Sequence, residues 1–105
     1  MSGYSSAYDT LLTAFSRLAE AEAGNLSSVR LAVFSALNTV LEVLGAESVD
    51  SLFEALAEAP TRVWADVIRL LELKRLAEAG EAGLDEAREA VEIATAVYSY
   101  LLGER

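Results

Sequence analysis

The chain has 105 residues, of which 53% are hydrophobic, and it contains six glycines and one proline. A chain of this length forms one domain, and this composition is too apolar for disorder and too poor in turn residues for a sandwich of many short strands. Because the chain contains neither cysteine nor histidine, it cannot form disulfides, thiol nucleophiles, histidine dyads, haem ligation or histidine-containing zinc and iron sites. We therefore expect one domain over residues 1–105 that is not an enzyme and carries no cofactor.

The charge of the chain excludes two further classes of partner. Eight basic residues against seventeen acidic ones give a net charge of -9, which repels the phosphate backbone of nucleic acids. The most apolar stretch, Val29–Leu44, contains Arg30, Asn38 and Glu42 and is shorter than the about 20 apolar residues of a membrane span. The first basic residue is Arg17, so no charged segment precedes an apolar one as in a secretory signal. These features predict a soluble, cytoplasmic protein that binds neither nucleic acid nor membrane.

The residue composition also indicates a thermophilic source. The chain has no glutamine, two asparagines and one methionine, and arginine outnumbers lysine. Hyperthermophilic proteins avoid the same heat-labile residues.

Apolar residues at helical spacing define the first two predicted helices. Ser6 and Asp9 have the spacing of a capping box, at the start of a run whose apolar residues lie three or four positions apart. That run contains Tyr8, Leu11, Leu12, Phe15, Leu18 and Ala19. Ser27 or Ser28 then caps a second helix, which Gly45 ends. The polar residues of this second helix occupy an arc of only about 100°, so we place the helix at the centre of the bundle.

Two polar residues of the second helix, Arg30 and Asn38, are the least expected in so apolar a segment. Buried polar groups are normally hydrogen-bonded inside the protein, so an internal hydrogen bond is the favoured interpretation. A contact with a partner protein is the alternative.

The second half of the chain predicts three more helices. Ser48 begins a short third helix, which ends before Pro60. Helix four covers about Thr61–Ala79, and its predicted inward residues are Val63, Trp64, Val67, Ile68, Leu70 and Leu71. Asp85 caps helix five, which reaches Gly103. No run alternates with a period of two. We therefore predict an all-α protein, an antiparallel four-helix bundle of helices one, two, four and five, in which helix three is an additional short helix, giving five helices in total.

An acidic cluster surrounds the start of helix five. Its members are Glu78, Glu81, Asp85, Glu86, Glu89 and Glu92. Such carboxylates can hold Mg²⁺, and the run from Asp85 to Glu89 is similar to the first half of the magnesium motif of all-helical nucleotide pyrophosphatases. The chain ends before a second half can follow, and acidic residues at a helix N-terminus are stabilising without any ligand. We therefore expect no metal site.

Apolar residues outside the main stripes predict a subunit interface on helices four and five. Leu73 and Leu76 lie outside the stripe predicted for helix four, and Ile93 and Tyr100 lie to one side of the seam of helix five. Several spare apolar residues on two neighbouring helices are typical of a contact between subunits. We predict that these four residues form the interface of a symmetric homodimer.

The order of helices from Ala7 to Leu102 resembles that of the HEPN family of small helical bundles. The stretch Leu73–Ala90 is similar to the final helix pair of HEPN proteins, in which an arginine-containing helix end leads through a glycine turn into an acidic, alanine-rich helix. Arg75 stands where HEPN ribonucleases have the arginine of their Arg-x4-6-His motif, but the chain has no histidine. The resemblance therefore implies a symmetric dimer without ribonuclease activity, of the kind that accompanies a small nucleotidyltransferase in a toxin–antitoxin pair.

The sequence thus predicts a non-enzymatic protein–protein interaction module that forms a homodimer. A small acidic accessory subunit of a larger CRISPR-type or viral assembly, which binds a heterologous protein, is the first alternative. A carboxylate- and metal-dependent nucleotide hydrolase is the second alternative, and the incomplete motif disfavours it.

Overall fold

A computed structural model describes residues 3–103 of the chain and the side chains of residues 6–102, and this part contains five α-helices and no strand. The helices are α1 (Gly3–Glu22), α2 (Ser28–Leu44), α3 (Val49–Leu56), α4 (Thr61–Glu78) and α5 (Leu84–Tyr98), and a π-helical segment (Ser99–Gly103) follows α5. The predicted all-α bundle with one short additional helix is confirmed. The first two and last two residues of the predicted domain lie outside the described residues.

The middle helices begin and end at the turn and capping residues that the sequence predicts. Gly45 follows α2 in the left-handed region, at φ 74°, where a side chain would be strained. The Ser48 hydroxyl accepts a hydrogen bond from the backbone N–H of Ser51, and the Ser51 hydroxyl accepts one from that of Ser48. Pro60 has an extended backbone and precedes the first residue of α4. These local signals fix the boundaries of α2, α3 and α4.

The predicted starts of α1 and α5 are wrong by a few residues. Helix α1 begins at Gly3, so Ser6 lies inside the helix and does not cap it. Helix α5 is capped at Gly83, whose N–H donates to the Glu86 carboxylate at 2.8 Å. Asp85, the predicted cap, instead lies in the first turn of α5.

Hydrogen bonds near both ends show that α1 and α2 are antiparallel. The Thr10 hydroxyl lies 2.7 Å from the Glu42 carboxylate, near the start of α1 and the end of α2. At the opposite end, the buried Ser28 hydroxyl donates to Glu20 at 2.7 Å. Of the two predicted caps of α2, Ser27 is at the N-cap position but makes no side-chain capping hydrogen bond. Ser28 instead joins the two helices.

Helices α1 and α5 are also antiparallel, although they come from opposite ends of the chain. The rings of Tyr8 and Tyr98 have centroids 6.2 Å apart. At the other end of the pair, the Arg88 guanidinium lies 2.8 Å from the Glu22 carboxylate. The first and last long helices are thus neighbours from Tyr8 to Glu22 of α1.

Helices α2 and α5 form the centre of the bundle. Helix α2 contacts the four other helices, and α5 contacts α1, α2 and α4, while α1 and α4 lie on opposite sides of the α2–α5 pair. Alanines recur at the buried positions of this pair, and five of them have no exposed surface: Ala32, Ala36, Ala87, Ala90 and Ala94. Because alanine side chains are short, the two central helices can approach closely. The predicted central position of α2 is confirmed.

The two polar residues that the sequence singles out on α2 do not face the core. Arg30 and Asn38 are both exposed, and the Arg30 guanidinium lies 5.1 Å from the centre of the Phe34 ring, in a cation–π contact. The expectation of an internal hydrogen bond is wrong, because solvent already satisfies these side chains.

Within the described residues, no single helix has both the length and the apolar composition of a membrane span. Helices α2 and α3 have this length and composition only when they are taken together, and they are bent by 46° at the break between them.

Candidate functional site

The structure does not place the four predicted interface residues on one free surface. Leu73 is fully buried and Ile93 is 8% exposed, so both belong to the core of the single chain. Leu76 and Tyr100 are half-buried and pack against that core. The prediction that these residues form a spare apolar edge is therefore wrong.

The error on α4 concerns which of two adjacent stripes faces inward. The buried residues of α4 are Val63, Val67, Leu70, Leu73 and Ala77. The predicted inward set shares Val63, Val67 and Leu70 with these residues. It extends to the adjacent positions Trp64, Ile68 and Leu71, of which Ile68 is 53% exposed and the other two are half-buried, and it leaves out Leu73. At 100° per residue this is a rotation of α4 that brings Leu73 into the core.

Helix α5 buries a wider arc than a single stripe because three helices pack on it. This arc includes Ile93. Tyr100 lies in the segment after α5, where the Arg62 guanidinium is 5.0 Å from its ring centre. Arg62 is in the first turn of α4, whereas Leu76 is near its end, about 20 Å away at 1.5 Å per residue. Because Tyr100 lies beside Arg62, it is near the opposite end of α4 from Leu76. These two predicted interface residues are thus also far apart.

A different apolar surface is exposed on α1. Tyr8, Leu12 and Phe15 are 50%, 46% and 44% exposed, and Ala19 follows at the same helical spacing and is exposed too. We call these four residues the outer stripe. The inner residues of the same helix, Ala7, Leu11, Ala14 and Ala21, are buried. Helix α1 therefore has two adjacent apolar stripes, and only the inner one is covered by the bundle.

The outer stripe borders an open groove of about 490 Å³ between α1 and α5. The lining residues are Phe15, Leu18, Glu22, Arg88, Val91, Glu92, Thr95, Ala96 and Ser99. Most of the exposed surface of this lining comes from apolar atoms. At one end, Arg88 pairs with Glu22 at 2.8 Å and with Asp85 at 3.3 Å. The outer stripe and the groove together form a continuous face of the bundle, which we call the α1–α5 face.

The acidic cluster around the start of α5 forms separate structural contacts. Glu86 accepts the N–H of Gly83, Glu78 pairs with Lys74 at 2.8 Å, and Glu89 pairs with Arg69 at 2.7 Å. Among the described residues, no three acidic side chains converge on a position that could hold a metal ion. Capping and pairing thus account for these three carboxylates.

The Arg69–Glu89 pair joins α4 to α5 and shifts both pKa values. Two Arg69 nitrogens donate to the two Glu89 oxygens at 2.7 and 2.9 Å, and these hydrogen bonds hold the pKa of Glu89 below its usual value and raise the pKa of Arg69. A lowered folded-state pKa means that the pair stabilises the protein above the pKa of the unfolded carboxyl, about 4.3. That contribution is lost as the pH falls through the lower, folded-state pKa.

We therefore expect Glu89→Gln to weaken the loss of stability in acid. The free energy of unfolding, measured by urea titration at pH 7 and again near pH 3, should fall less in this variant than in the parent chain. Arg69→Gln should have the same effect, because it removes the cause of the shift, and the double variant should add nothing further. Equal acid losses in the parent and in Glu89→Gln would show that the pair does not stabilise the fold.

The apolar residues of α1 already carry the signal for the outer stripe. The run of apolar residues used to predict helix one mixes two sets, which differ by one position and hence by 100°. One bundle contact cannot cover both sets. A prediction of one stripe that combines both sets therefore does not reveal the exposed surface.

The fold and the α1–α5 face are the basis for a functional proposal. In comparisons with known proteins, no protein-family model, no curated protein and no solved structure matches the chain.

Proposed function

We propose that the chain is a non-enzymatic, cytoplasmic interaction module that binds another protein through the α1–α5 face. One observation carries the proposal. Three large apolar side chains, Tyr8, Leu12 and Phe15, lie in a row on α1 and remain about half-exposed in the folded chain. Single exposed apolar residues are ordinary, but a contiguous apolar patch is typical of a site that a partner covers.

The second stripe of α4 is a weaker candidate for the same role. Trp64 and Leu71 are half-buried, which leaves Ile68 as its one largely exposed apolar residue within the described chain. The next position of this stripe is Arg75, and Arg69 and Glu72 flank it with an ion pair of 2.8 Å. Desolvating these charges would oppose binding, whereas the outer stripe of α1 contains no charged residue.

The HEPN resemblance suggests which protein to test first. If a nucleotidyltransferase is encoded beside this chain, it is the first candidate partner, and the other neighbouring gene products follow. An accessory role in a larger assembly would use the same face, since a heterologous chain must also cover exposed apolar surface.

Binding by this face is tested with purified candidate partners and two matched variants. We expect Leu12→Glu/Phe15→Glu to weaken the complex at least about tenfold, because two carboxylates would lose their hydration on binding. Ile68→Glu, which places a charge on an equally exposed apolar position of α4, should bind like the parent. Titration calorimetry measures the affinities, and circular dichroism checks that each variant keeps its helices.

The proposal fails if the parent chain binds neither itself nor any neighbouring gene product. It also fails if every complex it forms survives the Leu12→Glu/Phe15→Glu change.

A further inference from the structure

Building on the proposed function, we propose that the occupant of the α1–α5 face is a second copy of this chain. In this homodimer the outer stripes of the two α1 helices pack antiparallel to each other about a two-fold axis. The contact replaces the one predicted on helices four and five, of which Leu73 and Ile93 are buried within a single chain.

The spacing of the outer stripe fits a helix as its partner. Tyr8, Leu12, Phe15 and Ala19 are separated by four, three and four residues. This alternation keeps side chains on one side of a helix, and it is the spacing by which two helices interlock their side chains along a seam. Helix α1 is 20 residues long, so the seam can extend over about 30 Å.

The stripe is complementary to itself in one direction only. With the axis between residues 13 and 14, antiparallel packing sets Leu12 against Phe15 of the second copy and Tyr8 against Ala19 of the second copy. At each end of the seam, the large Tyr8 of one copy then meets the small Ala19 of the other. Parallel packing would instead put Tyr8 against Tyr8 and Ala19 against Ala19, which overfills one layer and leaves a void in the other.

The local charge around the outer stripe does not oppose a second copy. The whole chain carries a net charge of -9, so two copies repel each other over most of their surfaces. Residues 6–19 contain one acid and one base, Asp9 and Arg17, and are therefore neutral overall. At the end of the groove, Glu22 is paired with Arg88. The outer stripe thus lies on a stretch without net charge, and the acidic Glu92 in the lining of the groove lies outside this stretch.

The groove provides space for the side chains of the second copy. Phe15 lines the groove together with Val91 and Ala96. Since Leu12 of the second copy opposes Phe15, its side chain enters the groove at this point. The two-fold axis repeats the contact on the other molecule.

The oligomeric state gives the first test. Light scattering after size exclusion at about 100 μM, where a micromolar contact is populated, should give the mass of a dimer for the parent chain. Leu12→Glu/Phe15→Glu should give a monomer with unchanged helicity, and Ile68→Glu should remain a dimer. A monomeric parent, or a dimer that survives the double change, would overturn the proposal.

Cysteine cross-linking tests the direction of packing, and the absence of native cysteine makes the result unambiguous. Antiparallel packing brings Tyr8 of one copy next to Ala19 of the other, whereas the two Ala19 positions are about 16 Å apart along the helices. A short bis-maleimide should therefore join Tyr8→Cys to Ala19→Cys when the two variants are mixed. Ala19→Cys alone should not be joined, and efficient cross-linking of Ala19→Cys to itself would overturn the antiparallel arrangement.

The two proposals fail in different ways. A monomeric parent that still binds a neighbouring gene product, and loses it in Leu12→Glu/Phe15→Glu, rejects the homodimer and keeps the interaction module. A monomeric parent that binds none of these proteins rejects both.

Discussion

Replacing Leu73 by alanine is expected to lower the free energy of unfolding by about 2 to 5 kcal/mol. Leu73 has no exposed surface and belongs to the stripe that α4 turns toward the core. Removing three carbon atoms there loses their burial and leaves a cavity that the surrounding helices fill only in part. Domains of this size are stable by about 5 to 15 kcal/mol, so a large fraction of the stability would be lost.

The matched control is Ile68→Ala on the same helix. Ile68 is 53% exposed, so its truncation should cost less than about 1 kcal/mol. Urea unfolding followed by circular dichroism measures both changes. If Leu73→Ala costs no more than Ile68→Ala, then Leu73 lies on a surface, as the sequence alone predicts, and the rotation of α4 described above is wrong.

Enlarging Ala90 to leucine is expected to destabilise the protein by about 1 to 3 kcal/mol. Val91 lies toward α1, where it lines the groove, and Glu89 lies toward α4, where it pairs with Arg69. Ala90 is in the middle of the buried arc of α5, which faces α2. A longer side chain at this point must push the two central helices apart or adopt a strained rotamer.

Leucine forms helices nearly as well as alanine, so the expected loss comes from packing and not from helix propensity. Ala65→Leu is the control, because Ala65 is an exposed position of α4 and its replacement should leave the midpoint of thermal unfolding nearly unchanged. A parent-like midpoint for Ala90→Leu would mean that α2 and α5 are not closely packed.

The sequence predicts the helices well because local chemistry sets most of their limits. Gly45, Ser48 and Pro60 act through their own backbone geometry and through hydrogen bonds to near neighbours in the chain. Such signals need no knowledge of the rest of the fold. The apolar periodicity then distinguishes helix from strand over each remaining segment.

The orientation of each helix about its own axis is harder to predict. Helices α1 and α4 each have two apolar stripes one residue apart, and the choice between them depends on which neighbours pack on either side. The sequence pattern puts Leu73 outside the inward stripe and places Leu12 in the same apolar run as Leu11, whereas Leu73 is buried and Leu12 is 46% exposed. These two orientations explain why the apolar edge predicted on helices four and five is absent and why the pattern does not separate out the outer stripe.

The closeness of Tyr8 and Tyr98 also determines how the bundle would display attached proteins. The start of α1 and the end of α5 lie side by side at one pole of the molecule, so peptides fused before or after the described residues would leave from the same pole. In the proposed antiparallel dimer the two poles point in opposite directions, and the starts of the two α1 helices are about 30 Å apart at 1.5 Å per residue. The assembly would then act as a short, rigid spacer with one pair of attachment points at each end.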